Sequence, residues 1–196
     1  MSDTLPFRQL VRSDLEALVR LKGTHKVGSL VGFIDVLLLP GAWATLLVRL
    51  GNALHAAHLR PFSRLVYFAN TVLFAVDIAP GVTIGPGLAI PHPTFVGMGS
   101  TTVVGRDCVI TGGVRLLNGV VVGDRCYLLD GVKVIDPATL GDDVVVGAGS
   151  VVLDSLPSNC IAAGVPARVL RGRGEASSGS DAERVVEAEL AAARIG

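Results

Sequence analysis

The chain has 196 residues, of which 50% are hydrophobic but only 5% aromatic, so aliphatic side chains must fill most of its core. Seventeen basic residues balance 17 acidic ones, which excludes a global electrostatic field that would attract nucleic acid. The three cysteines have neither metal-site nor disulfide spacing, which favours a reducing, cytoplasmic location: Cys108, Cys126 and Cys160.

Residues 1–75 are predicted to form a helical N-terminal region that packs subunits together. Residues 13–16, Ser-Asp-Leu-Glu, fit a capping box and predict that a short helix begins there. Pro40 predicts the start of a second helix, and Pro61 the start of a third that runs to about Phe74. The N-terminus carries acidic residues and no long apolar stretch, so we expect no signal peptide.

Residues 31–50 form an apolar stretch about as long as a membrane span. Asp35, Pro40 and Arg49 interrupt it, which favours a helix buried in a subunit interface over a true span. Three histidines of this half have no acidic or cysteine partner at ligand spacing and are more typical of surface or interface positions: His25, His55 and His58.

From Ile78 onward the apolar residues recur with a period of six. An aliphatic residue, called here a hexad residue, stands at 78, 84 and 90 and, after one step of eight, at every sixth position from 98 to 152. Glycine often follows a hexad residue and predicts turns with positive φ, at positions 85, 99, 105, 123, 141 and 147. Smaller residues stand two positions before several hexad residues: Val82, Cys108, Val120, Cys126, Val144 and Ser150.

A period of six fits neither an α-helix nor a hairpin, but it fits a triangular coil of three short strands, about 18 residues per turn. Hexad residues then point inward and stack on the next coil, about 4.8 Å away. We therefore predict an α+β chain in which residues 76–171 form a parallel β-helix of about four coils, with Cys108 and Cys126 in its core. Residues 172–196 are predicted to form a flexible linker and a short tail helix.

The eight-residue step lies in AIPHPTFVGMG, residues 89–99, and contains His92, the one histidine of the repeat region. Two extra residues make the chain bulge from the coil wall, which would expose the imidazole. Asp77 stands between inward-facing Val76 and Ile78 and therefore points outward. A carboxylate can fix the tautomer of a histidine and stabilise its cation. A turn histidine and a solvated aspartate would give the same pattern.

Two segments resemble the serine acetyltransferase branch of the hexapeptide-repeat acyltransferases: VDIAPGVTIGPGLAIPHPTFVGMGSTTVVGRDCVI at 76–110 and VGAGSVVLDSLPSNCIAAGVPARVL at 146–170. The likeness extends back into LLLPGAWATLLVRLGNAL and covers roughly residues 30–171. It implies a left-handed coil. The family has the same eight-residue step around its catalytic histidine and an aspartate 15 residues earlier, so it implies that His92 is the general base and Asp77 its orienting partner.

The resemblance also implies direct acetyl transfer from acetyl-CoA, as a co-substrate and without a metal, to the hydroxyl of a small acceptor. In this family the acceptor is L-serine, which becomes O-acetylserine in cysteine biosynthesis. The family binds acetyl-CoA between subunits of a homotrimer, and its helices can pair trimers. By this resemblance the CoA-binding residues are Gly147, Ala148, Gly164 and Arg168, and arginine suits phosphate in charge and geometry. Arg171 and Arg173 are weaker candidates.

The departures from the family concern the acceptor. Pro91 replaces an aspartate that helps to hold the amino acid, Ala79 replaces a histidine, and Ser100 replaces a glutamate. A polar loop with an Arg-His pair is missing from LLNGVVVGDRCY, which continues in unbroken hexads. A site for zwitterionic serine should offer charges to both its ammonium and its carboxylate. The losses therefore favour a sugar or another small alcohol as the alternative acceptor.

The sequence disfavours two further functional classes. A non-catalytic β-helix scaffold is disfavoured by the retained Asp77, His92 and AGVPAR segment. A zinc carbonic anhydrase built on this coil needs three histidines in the repeat region, where this chain has only His92.

Overall fold

The computed structural model describes residues 5–22, 34–35, 37–135 and 137–174. Within these ranges the first long elements are the helices α1 (Phe7–Lys22), α2 (Pro40–Ala56) and α3 (Arg60–Phe74). The second and third helices begin and end close to their predicted bounds. His25 and the linker and tail helix expected after residue 174 lie outside the described residues.

Fourteen short strands follow the helices. They are β1 (Asp77–Ile78), β2 (Thr83–Ile84), β3 (Gly97–Met98), β4 (Val103–Val104), β5 (Val109–Ile110), β6 (Arg115–Leu116), β7 (Val121–Val122), β8 (Tyr127–Leu128), β9 (Lys133–Val134), β10 (Thr139–Leu140), β11 (Val145–Val146), β12 (Val151–Val152), β13 (Cys160–Gly164) and β14 (Ala167–Gly172).

The strands form the three walls of a parallel β-solenoid. Sheet 1 has the order β1-β3-β6-β9-β12, sheet 2 the order β2-β4-β7-β10, and sheet 3 the order β5-β8-β11-β13-β14. Every pairing is parallel except that of β13 with β14, which form an antiparallel hairpin. The predicted coil is thus confirmed, but the solenoid has about five turns and not four. The periodic count ended at residue 152, whereas Leu156 still pairs with Leu140 and β13 with β11 before the chain leaves the coil.

The core of the solenoid is the stack of hexad residues, all of which are buried. The smaller residues two positions earlier are buried as well, so Cys108 and Cys126 are core residues, as predicted. Their thiols contact each other, and this contact together with burial raises the pKa of Cys108, which keeps its thiol protonated. Cys160, to which no role could be assigned from its position in the sequence, is also buried, at the start of β13.

The glycines that follow hexad residues were predicted for a wrong reason. None of those six has positive φ; residues with positive φ lie elsewhere in the turns, as at Asp107 and Arg125. Glycine is needed because neighbouring coils approach closely: a Cβ added to Gly105 would lie 2.6 Å from the carbonyl carbon of Gly123. The repeated glycine therefore reflects backbone stacking, which sequence periodicity does not distinguish from turn geometry.

The predicted start of α1 at residues 13–16 is also wrong, because the helix begins at Phe7 and these residues lie inside it. Asp14 is instead buried against the solenoid, where its carboxylate accepts hydrogen bonds from the backbone N–H groups of Gly87 and Leu88 at 3.0 and 2.9 Å. Burial is the main influence on this carboxyl group and raises the pKa of Asp14.

Asp14 forms a buried ion pair with Arg49 of α2. Nε and Nη2 of Arg49 donate to the two carboxylate oxygens at 2.8 and 3.0 Å, and both side chains are 3% exposed. The same guanidinium donates to the carbonyl oxygens of Ile84 and Gly85 at 2.7 and 2.6 Å. One ion pair therefore joins α1, α2 and the coil that leads into the His92 segment.

Small residues form the face of α2 that packs on the solenoid, among them Ala42, Ala44 and Val48. The large apolar residues Trp43 and Leu50 remain exposed on the other face. Helix α3 also exposes a row of apolar side chains: Phe62, Leu65, Phe68 and Val72. None of the described helices has the length and apolar character needed to cross a membrane.

Candidate active site

His92 lies in an irregular loop, residues 91–95, between the β-bridge at Ala89 and strand β3. The backbone holds this loop on both sides: Phe95 N donates to Ala75 O at 3.0 Å, and Gly113 N donates to Thr94 O at 2.9 Å. His92 itself is exposed, and its side chain forms no hydrogen bond with any described residue. As predicted, the eight-residue step therefore places the imidazole of His92 outside the wall of the coil.

The N-terminus of α2 packs directly behind the His92 loop. A Cβ added to Gly41 would overlap the carbonyl oxygen of Ile90 and lie 3.1 Å from that of Pro91. Only glycine allows the helix to approach the loop this closely. Gly41 therefore positions the loop, a role that the sequence analysis did not assign.

We expect Gly41→Val to lower the rate of the expected acetyl transfer at least tenfold, because the loop or the helix must move and small displacements near a general base, the role expected of His92, are costly. Gly51→Ala on the same helix is the matched control, since a Cβ there would make an ordinary 3.8 Å contact with Val66. Steady-state kinetics and circular dichroism on both variants test this. Equal activity of both would contradict the positioning role of Gly41.

Asp77 points outward from β1, as predicted, but its carboxylate contacts residues other than His92. Tyr67 of α3 donates its hydroxyl to Oδ1 at 2.6 Å, and Arg115 of β6 donates Nη2 to Oδ2 at 3.1 Å. The hydrogen bond from Tyr67 to Asp77 is the main influence on the Tyr67 hydroxyl and raises its pKa, so the phenol stays protonated and donates. No hydrogen bond joins Asp77 to His92 in the described chain, and their functional pairing stays a prediction.

Arg115 reaches Asp77 by crossing the strand between them. In sheet 1, Asp77 pairs with Gly97, and Gly97 pairs with Arg115. The guanidinium lies over Gly97, where a Cβ would overlap it. The ion pair therefore depends on a glycine in the middle strand. Neither Tyr67 nor Arg115 was singled out from the sequence, although outward positions two strands apart could have suggested the second.

This side of sheet 1 carries a groove of about 360 Å³. Besides Asp77 and Arg115, the groove is lined by Ala79 and Ser100, two of the positions that depart from the family. Its other lining residues are Gly97, Met98, Gly99, Leu116, Leu117 and Asn118. The turn from β6 to β7 closes within residues 117–120, so the polar loop missing from the sequence has no counterpart in the fold.

The edge where sheet 3 turns into sheet 1 carries His92 together with two predicted CoA-binding residues. We call it the His92 edge, and it comprises residues 91–95, 111–113, 129–131 and 147–149. Backbone hydrogen bonds of 2.8–2.9 Å join each turn to the next: Gly113 to Thr94, Gly131 to Gly112 and Gly149 to Asp130. Ala148 therefore lies three coils from His92, about 14 Å along the solenoid at the usual strand spacing.

The other predicted CoA-binding residues, Gly164 and Arg168, lie on the β13–β14 hairpin. Gly164 N donates to Ser150 Oγ at 3.0 Å, which holds the hairpin turn against the end of the His92 edge, near Gly147. Arg168 pairs with Asp154 at 3.1 Å, and both side chains are mostly exposed. The fold thus brings the predicted glycines together with Ala148, while Arg168 already has a carboxylate partner.

The described residues contain no group of histidine, cysteine and acidic side chains that could hold a metal ion. His55 lies at the end of α2 against Gly81, and His58 lies just after the helix. Arg173 donates to Arg125 O and to the Asp143 carboxylate at 3.1 and 3.4 Å, which gives it a structural role.

The chain is similar to known proteins in sequence and in fold. Residues 119–154 match the family "Bacterial transferase hexapeptide (six repeats)". Serine acetyltransferase from Brucella abortus strain S19, in complex with coenzyme A, is 28% identical with a TM-score of 0.77 over 85% of this chain and 68% of that one. The chain is an acyltransferase, similar in fold to the serine acetyltransferases.

Other solved structures agree. A serine acetyltransferase in complex with cysteine resembles this acyltransferase with a TM-score of 0.78 at 26% identity, over 87% of this chain and 68% of that one. Soybean serine acetyltransferase gives 0.69 at 28% identity, over 80% and 69%. No curated protein sequence matches this acyltransferase.

Proposed function

We propose that the chain is an acetyl-CoA-dependent O-acetyltransferase in which His92 is the general base. The observation that carries the proposal is the His92 edge. It aligns an exposed imidazole with a row of glycines, Gly113, Gly131 and Gly149, that ends near the β13–β14 hairpin. The similarity to a serine acetyltransferase that binds coenzyme A supports the same donor here.

In the proposed mechanism the pantetheine arm lies along the His92 edge, and its thioester reaches the loop at residues 91–95. Gly147, Ala148, Gly164 and Arg168 bind the arm and the nucleotide end. His92 takes the proton of the acceptor hydroxyl as that oxygen attacks the thioester carbonyl, and the thiolate of CoA leaves. A positioned base contributes about 10²–10⁴-fold to the rate, and alignment of both substrates contributes more.

Asp77 is proposed to orient His92. It is the outward carboxylate of β1, and Tyr67 and Arg115 hold it at the groove wall. The exposed apolar side chains of α2 and α3 support subunit packing through these helices, with a homotrimer, alone or paired, as the proposed assembly. A trimer would also supply a neighbouring wall to close the His92 edge.

L-Serine is the first acceptor that we propose, because the structural relatives are serine acetyltransferases. A sugar or another small alcohol is the second candidate. It is favoured by the direct β6–β7 turn and by Ala79, Pro91 and Ser100, which leave fewer charged groups for an amino acid. A screen of serine, homoserine, sugars and nucleotide sugars, scored by CoA release, separates the two.

Acetyl-CoA at 100 times its Kd is expected to raise the free energy of unfolding by about 2.7 kcal/mol. Ala148→Glu should abolish this stabilisation, because a carboxylate would obstruct the His92 edge and repel phosphate. Leu153→Glu is the matched control, since Leu153 is an exposed residue of the same coil just after β12, on a different edge. Thermal unfolding with and without acetyl-CoA measures both, and no stabilisation of the unmodified chain would favour a non-catalytic scaffold.

A further inference from the structure

We propose that Arg115 binds an anionic group of the acceptor, a carboxylate or a phosphate, in the groove on sheet 1. The inference deepens the proposed function, on which it rests, by naming a chemical feature of the substrate. Arg115 is the one cationic side chain among the residues that line the groove. Its side chain is 47% exposed and therefore accessible from solvent. The ion pair with Asp77 holds it in place.

The hydrogen bonds of Arg115 leave most of its donors available. Only Nη2 donates, to Asp77 Oδ2 at 3.1 Å, and Nε and Nη1 have no partner among the described residues. A guanidinium presents its N–H groups in a planar fork that matches two oxygens of one carboxylate or phosphate. The guanidinium is also fixed in position, because it lies over Gly97 and is held by Asp77.

The charges around the groove favour an anion over a cation. Asp77 is the one carboxylate among the residues that line the groove, and its charge is already paired with that of Arg115. Lys133 is the register neighbour of Arg115 on the next strand of sheet 1 and is exposed. The face therefore carries two positive charges beside one neutralising carboxylate.

The first test compares acceptor pairs that differ in the anionic group: L-serine with L-serinamide, and glucose 6-phosphate with glucose. We expect the enzyme to use one of these pairs and to show a higher kcat/KM for its anionic member. Use of the serine pair would identify the bound group as a carboxylate, and use of the glucose pair would identify it as a phosphate. Arg115→Ala should lower kcat/KM for that member roughly 10–100-fold more than it lowers kcat/KM for the neutral member. Arg115→Lys should recover part of the loss, since it keeps the charge without the planar fork.

The matched control is Arg106→Ala. Arg106 is also an exposed arginine close to an aspartate, at 4.0 Å from Asp124, but lies on another edge. It should not change the preference. A preference for the neutral acceptor, or an equal loss for both members in Arg115→Ala, would overturn the inference while leaving acetyl transfer itself established.

A second test does not need turnover. Inorganic phosphate or acetate, at constant ionic strength, should raise the thermal midpoint of the unmodified chain and of Arg106→Ala but not of Arg115→Ala. Anion protection without CoA release from any acceptor would support the anion site and count against the proposed function. An equal rise in the thermal midpoint of Arg115→Ala would overturn the proposal of an anion site.

Discussion

Replacing His92 with alanine is expected to lower the rate of acetyl transfer by about 10²–10⁴-fold while leaving acetyl-CoA binding unchanged. The imidazole is exposed, makes no hydrogen bond with the described residues, and lies in a loop held by backbone contacts at Ala75 and Gly113. Its removal should therefore leave the fold intact. His92→Gln should behave like the alanine variant, because an amide can donate a hydrogen bond but cannot serve as a base.

CoA release under saturating acetyl-CoA measures this effect, and thermal stabilisation by acetyl-CoA reports binding in the same samples. His55→Gln is the control, since His55 lies on α2 against Gly81, between β1 and β2, and outside the His92 edge. Full activity in His92→Ala would show that another group accepts the proton, and the assignment of the base would be lost.

The largest loss of stability is expected from breaking the buried pair between Asp14 and Arg49. Asp14→Asn leaves a guanidinium buried without its counter-charge, and Arg49→Met leaves a carboxylate in the same state. Each change should reduce the free energy of unfolding by about 3–5 kcal/mol. That is a large part of the total stability of an ordinary domain, about 5–15 kcal/mol.

A double-mutant cycle identifies the cause of the loss. The Asp14→Leu/Arg49→Met chain removes both charges and should lose clearly less than the sum of the single changes, because neither charge remains unpaired. Arg12→Ala removes an exposed pair with Glu16 on the same helix and should cost no more than about 0.5 kcal/mol. Urea unfolding measures these losses. If the single variants lose no more free energy of unfolding than Arg12→Ala, the structural role of the pair is contradicted.

The repeat could be predicted from sequence because each hexad residue faces the same axis, so burial leaves a period that twelve steps reinforce. The exposure of His92 followed from the same count, since one irregular step displaces the chain from the wall. The coil number was underestimated because the period ends at residue 152, whereas the last turn, with Leu156, is completed by backbone pairing and not by a hexad residue.

Contacts between distant segments could not be predicted in this way. Ser13 and Asp14 have the composition of a helix cap, but only the packing of α1 on the coil shows that their side chains meet Gly87. The partners of Asp77 come from α3 and from a strand two positions away in sheet 1, and no local pattern joins them. Gly41 is likewise explained only by the loop behind it, since glycine near a helix start is common for other reasons.

The stacked coils of the His92 edge fix the distance between His92 and the β13–β14 hairpin. Each coil adds one strand spacing between His92 and the β13–β14 hairpin, whereas the arm of the proposed donor has a constant number of bonds. Inserting or deleting one 18-residue coil would preserve the hydrophobic stack and leave the solenoid foldable. It would nevertheless move the hairpin by about 4.8 Å relative to the base. For this part of the chain, the size of the cofactor limits coil number more strictly than folding does.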